Sequence, residues 1–131
     1  MLIDTVAWVL IDGGRILCAR PRGKDVFFVP GGKREGAESD LDTLVREIRE
    51  ELDVVLDPAS AVHVGTYESG APDLPEGAVV RMACYTAAHR GVPVPSAEIE
   101  ETEWFSYGDR ERVPPVDRLL FDDLVAAGRL T

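Results

Sequence analysis

The sequence predicts an α/β fold of the α+β kind, a mixed β-sheet sandwiched between α-helices, formed by one domain over residues 1–131. Three observations predict it. Short β-rich runs bounded by Gly, Pro and Asp occupy the start and middle of the chain. One strongly amphipathic helix interrupts them, and a second closes the chain. Strands and helices alternate irregularly, as a mixed sheet with helices on its faces requires.

The first run, 5–11, is rich in β-formers. Asp12-Gly13-Gly14 supplies turn chemistry, and 15–20 follows as a second strand, so the pattern reads as a hairpin. Residues 21–24 form a basic loop, and 26–29 a short strand ended by Pro30-Gly31-Gly32. The spacing then predicts a helix over 40–52. Ser39 is its N-cap, and Asp40 and Asp42 stand in the first turn, where carboxylates suit the helix dipole. Leu41, Leu44, Val45, Ile48 and Leu52 make one apolar stripe. Further strands are expected at 54–56, 61–67, 78–88 and 104–105, the last preceded by the acidic segment 98–103. The closing helix, 115–127, carries Val116, Leu119, Leu120, Leu124 and Val125 and stops at Gly128.

A length of 131 residues fits one domain with its own core. Hydrophobic residues at 45% and charged residues at 29% are ordinary for a soluble globular chain. No apolar run approaches the roughly 18 residues of a membrane helix, and the start lacks the features of a signal peptide. Cys18 and Cys84 fall within strand-like segments and read as buried thiols of a cytoplasmic protein. A net charge of −10 repels a polyanion, which argues against nucleic-acid polymers as partners. A small anionic substrate remains compatible, given local cations or metal ions.

The sharpest feature is the acidic end of the first helix. Glu47 stands three residues before Glu50 and four before Glu51, so the three carboxylates are neighbours. They occupy the last turns, where the dipole favours cations by about 0.3–1 kcal/mol per charge. Local stability argues against such a cluster, and a hard divalent cation reverses the sign, because carboxylate oxygens are its preferred ligands. The plainer alternative is a solvated acidic face relieved by Arg46 and Arg49. The preceding loop, 31–37, holds three glycines and two bases; glycine lets backbone approach a ligand closely, and the helix start beyond it offers free N–H groups.

Taken at their spacing, Gly32, Glu38 and Arg46-Glu47-Ile48-Arg49-Glu50-Glu51-Leu52-Asp53-Val54 resemble the Nudix box of the Nudix hydrolases, here running from Gly32 to Val54. Every position of the pattern matches except one glycine, which is Asp53 in this chain. The resemblance implies the Nudix fold, with the box as loop–helix–loop. It also implies hydrolysis of a nucleoside diphosphate linked to another moiety, with Mg²⁺ as cofactor and Mn²⁺ as its substitute. By position, Glu47, Glu50 and Glu51 would hold metal, joined in some members by the Gly32 carbonyl. Arg46 would orient the glutamates through charge-assisted hydrogen bonds, and Glu38 would tether the loop to the helix. The family glycine ends the helix in a left-handed conformation, which Asp tolerates at a cost of about 1 kcal/mol, so Asp53 is expected at positive φ with activity retained.

In the family the general base is a box glutamate or a glutamate on a later loop. The candidates here are Glu47, Glu51 and one of Glu98, Glu100 or Glu101; Glu51 is expected to be an indispensable ligand and Glu98 the later-loop candidate. Arg20, Arg22, Lys24, Lys33 and Arg34 flank the box and either clamp substrate phosphates or serve solubility, with Arg20, Arg22 and Lys33 the substrate-binding candidates. Trp8, Phe27, Phe28, Tyr67 and Trp104 either stack on a base or, as strand aromatics mostly do, belong to the core, and His63 and His89 receive no role. The short chain and the Glu-Ile-x-Glu stretch look most like MutT-type members acting on nucleoside triphosphates and their oxidised forms. ADP-ribose or a nucleotide sugar is the alternative substrate; Pro72 lies slightly too far beyond the box for the ADP-ribose subgroup. A nucleotide-sensing domain without turnover is the competing class, disfavoured because all box carboxylates are present. The expected partner is a small nucleotide-like molecule, with no membrane, and a homodimer is the family habit.

Overall fold

A computed structural model describes residues 1–131. Nine strands and two α-helices follow in order: β1 Leu2–Trp8, β2 Ile11–Asp12, β3 Arg15–Pro21, β4 Gly31–Lys33, α1 Asp40–Leu52, β5 Val55–Leu56, β6 Val62–Ser69, β7 Val79–Thr86, β8 His89–Arg90, β9 Ile99–Phe105 and α2 Pro115–Ala126. A four-stranded sheet has the order β4-β1-β7-β6, a three-stranded sheet the order β2-β3-β9, and β5 pairs with β8. The β1/β7 pair is parallel and every other pair is antiparallel, so the sheet is mixed as expected.

Alternation along β1 explains the layering. Val6 and Trp8 point to one side, into a core with Leu44, Ile48 and Leu52 of α1. Ala7 points to the other side, into a larger core with Met82 and Cys84 of β7 and Leu120, Phe121 and Leu124 of α2. The next residue of that parity, Val9, joins the second core as well. A strand buried on both faces must be apolar on both, which is why this run does not alternate in polarity.

Both helices form where the periodicity places them. Ser39 accepts from the Asp42 N–H at 3.1 Å, and the Asp42 carboxylate accepts from the Ser39 N–H, a reciprocal cap. Asp53 has φ 55° and ψ 41°, the left-handed conformation expected at the departure from the family pattern. In α2 the buried face is Val116, Asp117, Leu120, Phe121 and Leu124, whereas Leu119, expected in the stripe, is 38% exposed. Cys18 and Cys84 are free and buried, as expected. No helix is long and apolar enough to cross a membrane.

Three expectations need correction. The hairpin is confined to β2 and β3, joined by Gly13 and Gly14 at φ 59° and 77°, the backbone a two-residue turn demands. β1 leaves for the other sheet, and the continuous apolar run hides that change of partner. Residues 26–29 are not a strand beyond a single bridge from Phe28 to Ala19. Their amides go elsewhere: Phe27 N–H to the Arg112 carbonyl at 3.0 Å, Val29 N–H to the Asp117 carboxylate at 2.8 Å. The strand lies instead at Gly31–Lys33, paired with Ala7, Val6 and Thr5. Finally, residues 99–103 of the acidic segment belong to β9, whose outward glutamates meet Arg20 and Arg112, and Glu98 stands just before the strand.

Candidate active site

The apolar stripe of α1 fixes the rotation of the helix, and that rotation aims two of its glutamates at β4. Glu51 is only 6% exposed, and its Oε1 accepts from the Gly31 N–H at 3.1 Å. Glu47 lies against Gly32, where there is no room for a side chain: a Cβ would fall 2.5 Å from both carboxylate oxygens. Glu98, just before β9, completes the group. One carboxylate oxygen from each of Glu47, Glu51 and Glu98 lies within 4.8 Å of the others.

Three carboxylates so close repel one another, and the buried ones titrate accordingly. Burial, then the charges of Glu47, Glu98 and Glu50, pushes Glu51 up to about 8 against the Gly31 hydrogen bond. Burial likewise raises Glu47, with Arg46 opposing. This is the donor set a hard divalent cation takes: carboxylate oxygens, converging and short of positive charge. The cleft against Gly32 keeps Glu47 in reach of the other two. The residues therefore fit a magnesium-type ion.

Arg46 organises the surroundings. Its Nε and Nη2 donate to the two oxygens of Glu38, each at 2.9 Å, its Nη1 to Glu47 Oε1 at 2.9 Å, and its Nη2 to the Lys33 carbonyl at 3.2 Å. One guanidinium thus ties the loop to the helix and holds a member of the carboxylate set. The same fork lowers Glu38 to about 2. Glu38 also accepts from the Thr43 hydroxyl and the Glu35 N–H, both at 3.0 Å.

Glu50 is not brought into the converging group. Its side chain is 53% exposed and lies 3.8 Å from Arg46. Of the flanking bases, Arg20 is engaged by Glu101 at 2.8 Å, and Arg34 is held by Asp4 at 3.2 Å and by Asp40. Arg22 donates its backbone N–H to the Glu98 carbonyl at 2.7 Å and points its side chain outward. Lys24 and Lys33 line the cavity beside the carboxylates, and no ion pair of the structure engages them.

That cavity, of about 1130 Å³, has Glu47, Glu51, Glu98, Val80, Met82 and Asp117 in its wall. Asp117 is 3% exposed, with one oxygen held by the Val29 N–H at 2.8 Å; burial pushes its carboxyl up to about 7. Phe28 lines the same space, with Lys24 Nζ 5.6 Å from its ring centre. Sequence reasoning missed Asp117. The available signal was a carboxylate spaced three, four and seven residues from Leu120, Phe121 and Leu124, a charge on an apolar face.

A family model described as the NUDIX domain matches residues 1–124. Among solved structures, the ORF135 protein of E. coli is 26% identical and has a TM-score of 0.77, the match covering 95% of this chain and 89% of that one. The MutT NUDIX hydrolase of Burkholderia pseudomallei is 22% identical, with a TM-score of 0.79 over 95% of this chain and 98% of that one. The NUDIX hydrolase of Nitrosomonas europaea is 21% identical, with a TM-score of 0.74 over 99% and 93%. No curated protein matches by sequence.

Proposed function

Because this chain belongs to the Nudix hydrolase family, we propose that its cavity binds a nucleoside triphosphate, oxidised or not, and hydrolyses it to a nucleoside monophosphate and pyrophosphate. The single observation that carries this reading is the convergence of Glu47, Glu51 and Glu98 in the wall of a cavity that the buried Asp117 also lines.

In this reading Glu47, Glu51 and Glu98 would hold Mg²⁺, or Mn²⁺ in its place, with the Gly32 carbonyl as the further ligand the resemblance implies. Glu50 remains a ligand by its place in the box; its charge already bears on Glu51. A divalent cation so held neutralises charge on the phosphate oxygens and acidifies a nearby water. The chain's own groups do the rest. Lys24 and Lys33, free of carboxylate partners, meet the outer phosphates, with Arg22 at the rim. Arg20 joins them only by releasing Glu101. Arg46 keeps Glu47 oriented, and Glu38 keeps Arg46 in place. Water adds to phosphorus as the bridging P–O bond breaks, and the proton passes to a carboxylate; Glu98, the exposed member, returns it to solvent. Phe28 offers a face for the base, and Asp117 offers an acceptor to a ring N–H or amino group.

The test is pyrophosphate and phosphate release against a panel of nucleoside triphosphates, 8-oxo forms, ADP-ribose and nucleotide sugars, with Mg²⁺ and with Mn²⁺. Turnover of a triphosphate to monophosphate and pyrophosphate, lost in Glu51→Gln, supports the reading. Turnover of ADP-ribose or a nucleotide sugar alone moves the substrate class, and tight binding without turnover makes the chain a nucleotide sensor.

A further inference from the structure

Two residues other than glycine have positive φ, Asp53 and Ala97. Asp53 ends a helix, where that conformation is usual. Ala97, at φ 52°, ends no helix and is exposed, so neither a cap nor packing accounts for it. An L-residue with a Cβ adopts this conformation only when its surroundings impose it.

The surroundings are hydrogen bonds to the site. Upstream, the Val94 N–H donates to the Leu52 carbonyl at 3.0 Å and the Ser96 N–H to the Glu51 carbonyl at 2.9 Å, using acceptors left open at the end of α1. Downstream, the Glu98 carbonyl accepts from the Arg22 N–H at 2.7 Å, and the Ile99 N–H returns to the Ser96 carbonyl at 3.0 Å. Ala97 is the one residue between these anchors, at the second position of the turn 96–99, and it must reverse the chain there. The residue it delivers is Glu98, whose carboxylate must approach two others of the same charge. Electrostatics alone would send that side chain to solvent.

We propose that the left-handed backbone of Ala97 is a positioning device that aims Glu98 at Glu47 and Glu51 before any cation arrives; this rests on the reading that these three carboxylates hold the ion. Glycine would accept the same φ without strain but would open many other conformations to the turn. Alanine, pinned on both sides, keeps few. Strain in the folded state and readiness of the site are thus two results of the same methyl group.

The experiment uses the full chain, stripped of metal, and reads thermal melting and Mn²⁺ binding by calorimetry. Ala97→Gly is expected to melt at the native temperature or up to about 4 °C above it, because strain is removed. Its Mn²⁺ dissociation constant is expected to rise about 10-fold, as when an outer support of a ligand is lost. Ala97→Asn, which tolerates the left-handed region with less freedom than glycine, is expected to stay within about 2-fold of native binding. A purely structural role would move both readouts of Ala97→Gly in the same direction, lowering melting together with affinity, and would overturn the proposal. Native Mn²⁺ affinity in Ala97→Gly alongside weakened affinity in Glu98→Gln would overturn it as well, while leaving the site reading intact. Native affinity in both Glu98→Gln and Glu51→Gln would instead remove the site reading, and the positioning role with it.

Discussion

The carboxylate of Glu47 rests on the α-carbon of Gly32. A methyl group on Gly32 would stand 2.5 Å from either carboxylate oxygen, closer than real Cβ contacts come. Gly32 is not among the glycines at positive φ, so this position demands space and not conformational freedom. Gly32→Ala is therefore expected to push Glu47 away from Glu51 and Glu98. Turnover should fall at least about 100-fold, the cost of misplacing a group by about an ångström. Melting should drop by only a few degrees, since the far end of one side chain absorbs the change. Native turnover from this variant would show that Glu47 need not sit where the structure puts it.

Glu51 is a carboxylate whose burial opposes folding in the absence of a cation. Glu51→Gln keeps the shape and leaves an amide oxygen for the Gly31 N–H. The metal-free variant is expected to be more stable than native protein at pH 8, by about 2–4 kcal/mol, because no charge has to be buried. Its turnover should be lower by a factor of hundreds or more. Denaturant melts of the stripped proteins, with steady-state rates beside them, check both signs. A variant less stable than native would mean that the native carboxylate finds compensation the structure does not contain.

Asp117 gives a pH signature of its own. Its folded-state value is raised from 3.8 to about 7, so the folded chain binds this proton more tightly than the unfolded one. Stability from this group is complete below about pH 4, falls as pH rises through the window to about 7, and is level beyond. Asp117→Asn has no such slope, so its stability relative to native should grow from pH 5 to pH 8, by about 2–4 kcal/mol. The same change turns an acceptor into a mixed donor and acceptor in the wall of the cavity. KM should rise about 10-fold for the preferred base, with kcat nearly unchanged. Parallel pH dependence of the two proteins would place the proton elsewhere.

Asp53 supplies a contrast. Its φ of 55° ends α1, and its contact with Arg49 is a long, exposed 3.8 Å pair that contributes little. Asp53→Gly should relieve about 1 kcal/mol of backbone strain and raise melting by a few degrees. Turnover and metal affinity should stay native, because this residue shapes a helix end and aims no ligand. A fall in turnover would give the aspartate a part in the chemistry.

Local features were legible in the sequence. Ser39, the stripe of α1 and the left-handed Asp53 depend on neighbours a few residues away, and periodicity and cap chemistry report those directly. Glu47 and Glu51 followed from the same helix. Glu98 was expected from the resemblance as the later-loop candidate, but its convergence with them was hidden, because it arrives through a turn held by Glu51, Leu52 and Arg22, while Glu50 shares the helix and lies beside Arg46. Sheet membership was equally hidden. The run 5–11 is apolar throughout because β1 is covered on both faces, so nothing marks where the chain passes from one sheet to the other. Arg20 and Arg34 read as free cations until folding placed Glu101, Asp4 and Asp40 beside them. Asp117 was masked by the apolar residues around it.

The pairing of β4 with β1 has a consequence for how the molecule loosens. The glycines that border the carboxylates are laced to an interior strand, between Trp8 donating to Pro30 at 2.8 Å and Arg34 donating to Asp4 at 3.1 Å. β4 is the edge of its sheet, so that segment opens by breaking its pairing with β1 alone, while β1 stays held by β7 on its other side. Amide protons there are expected to exchange through local opening of this edge, ahead of those of β1 and β7.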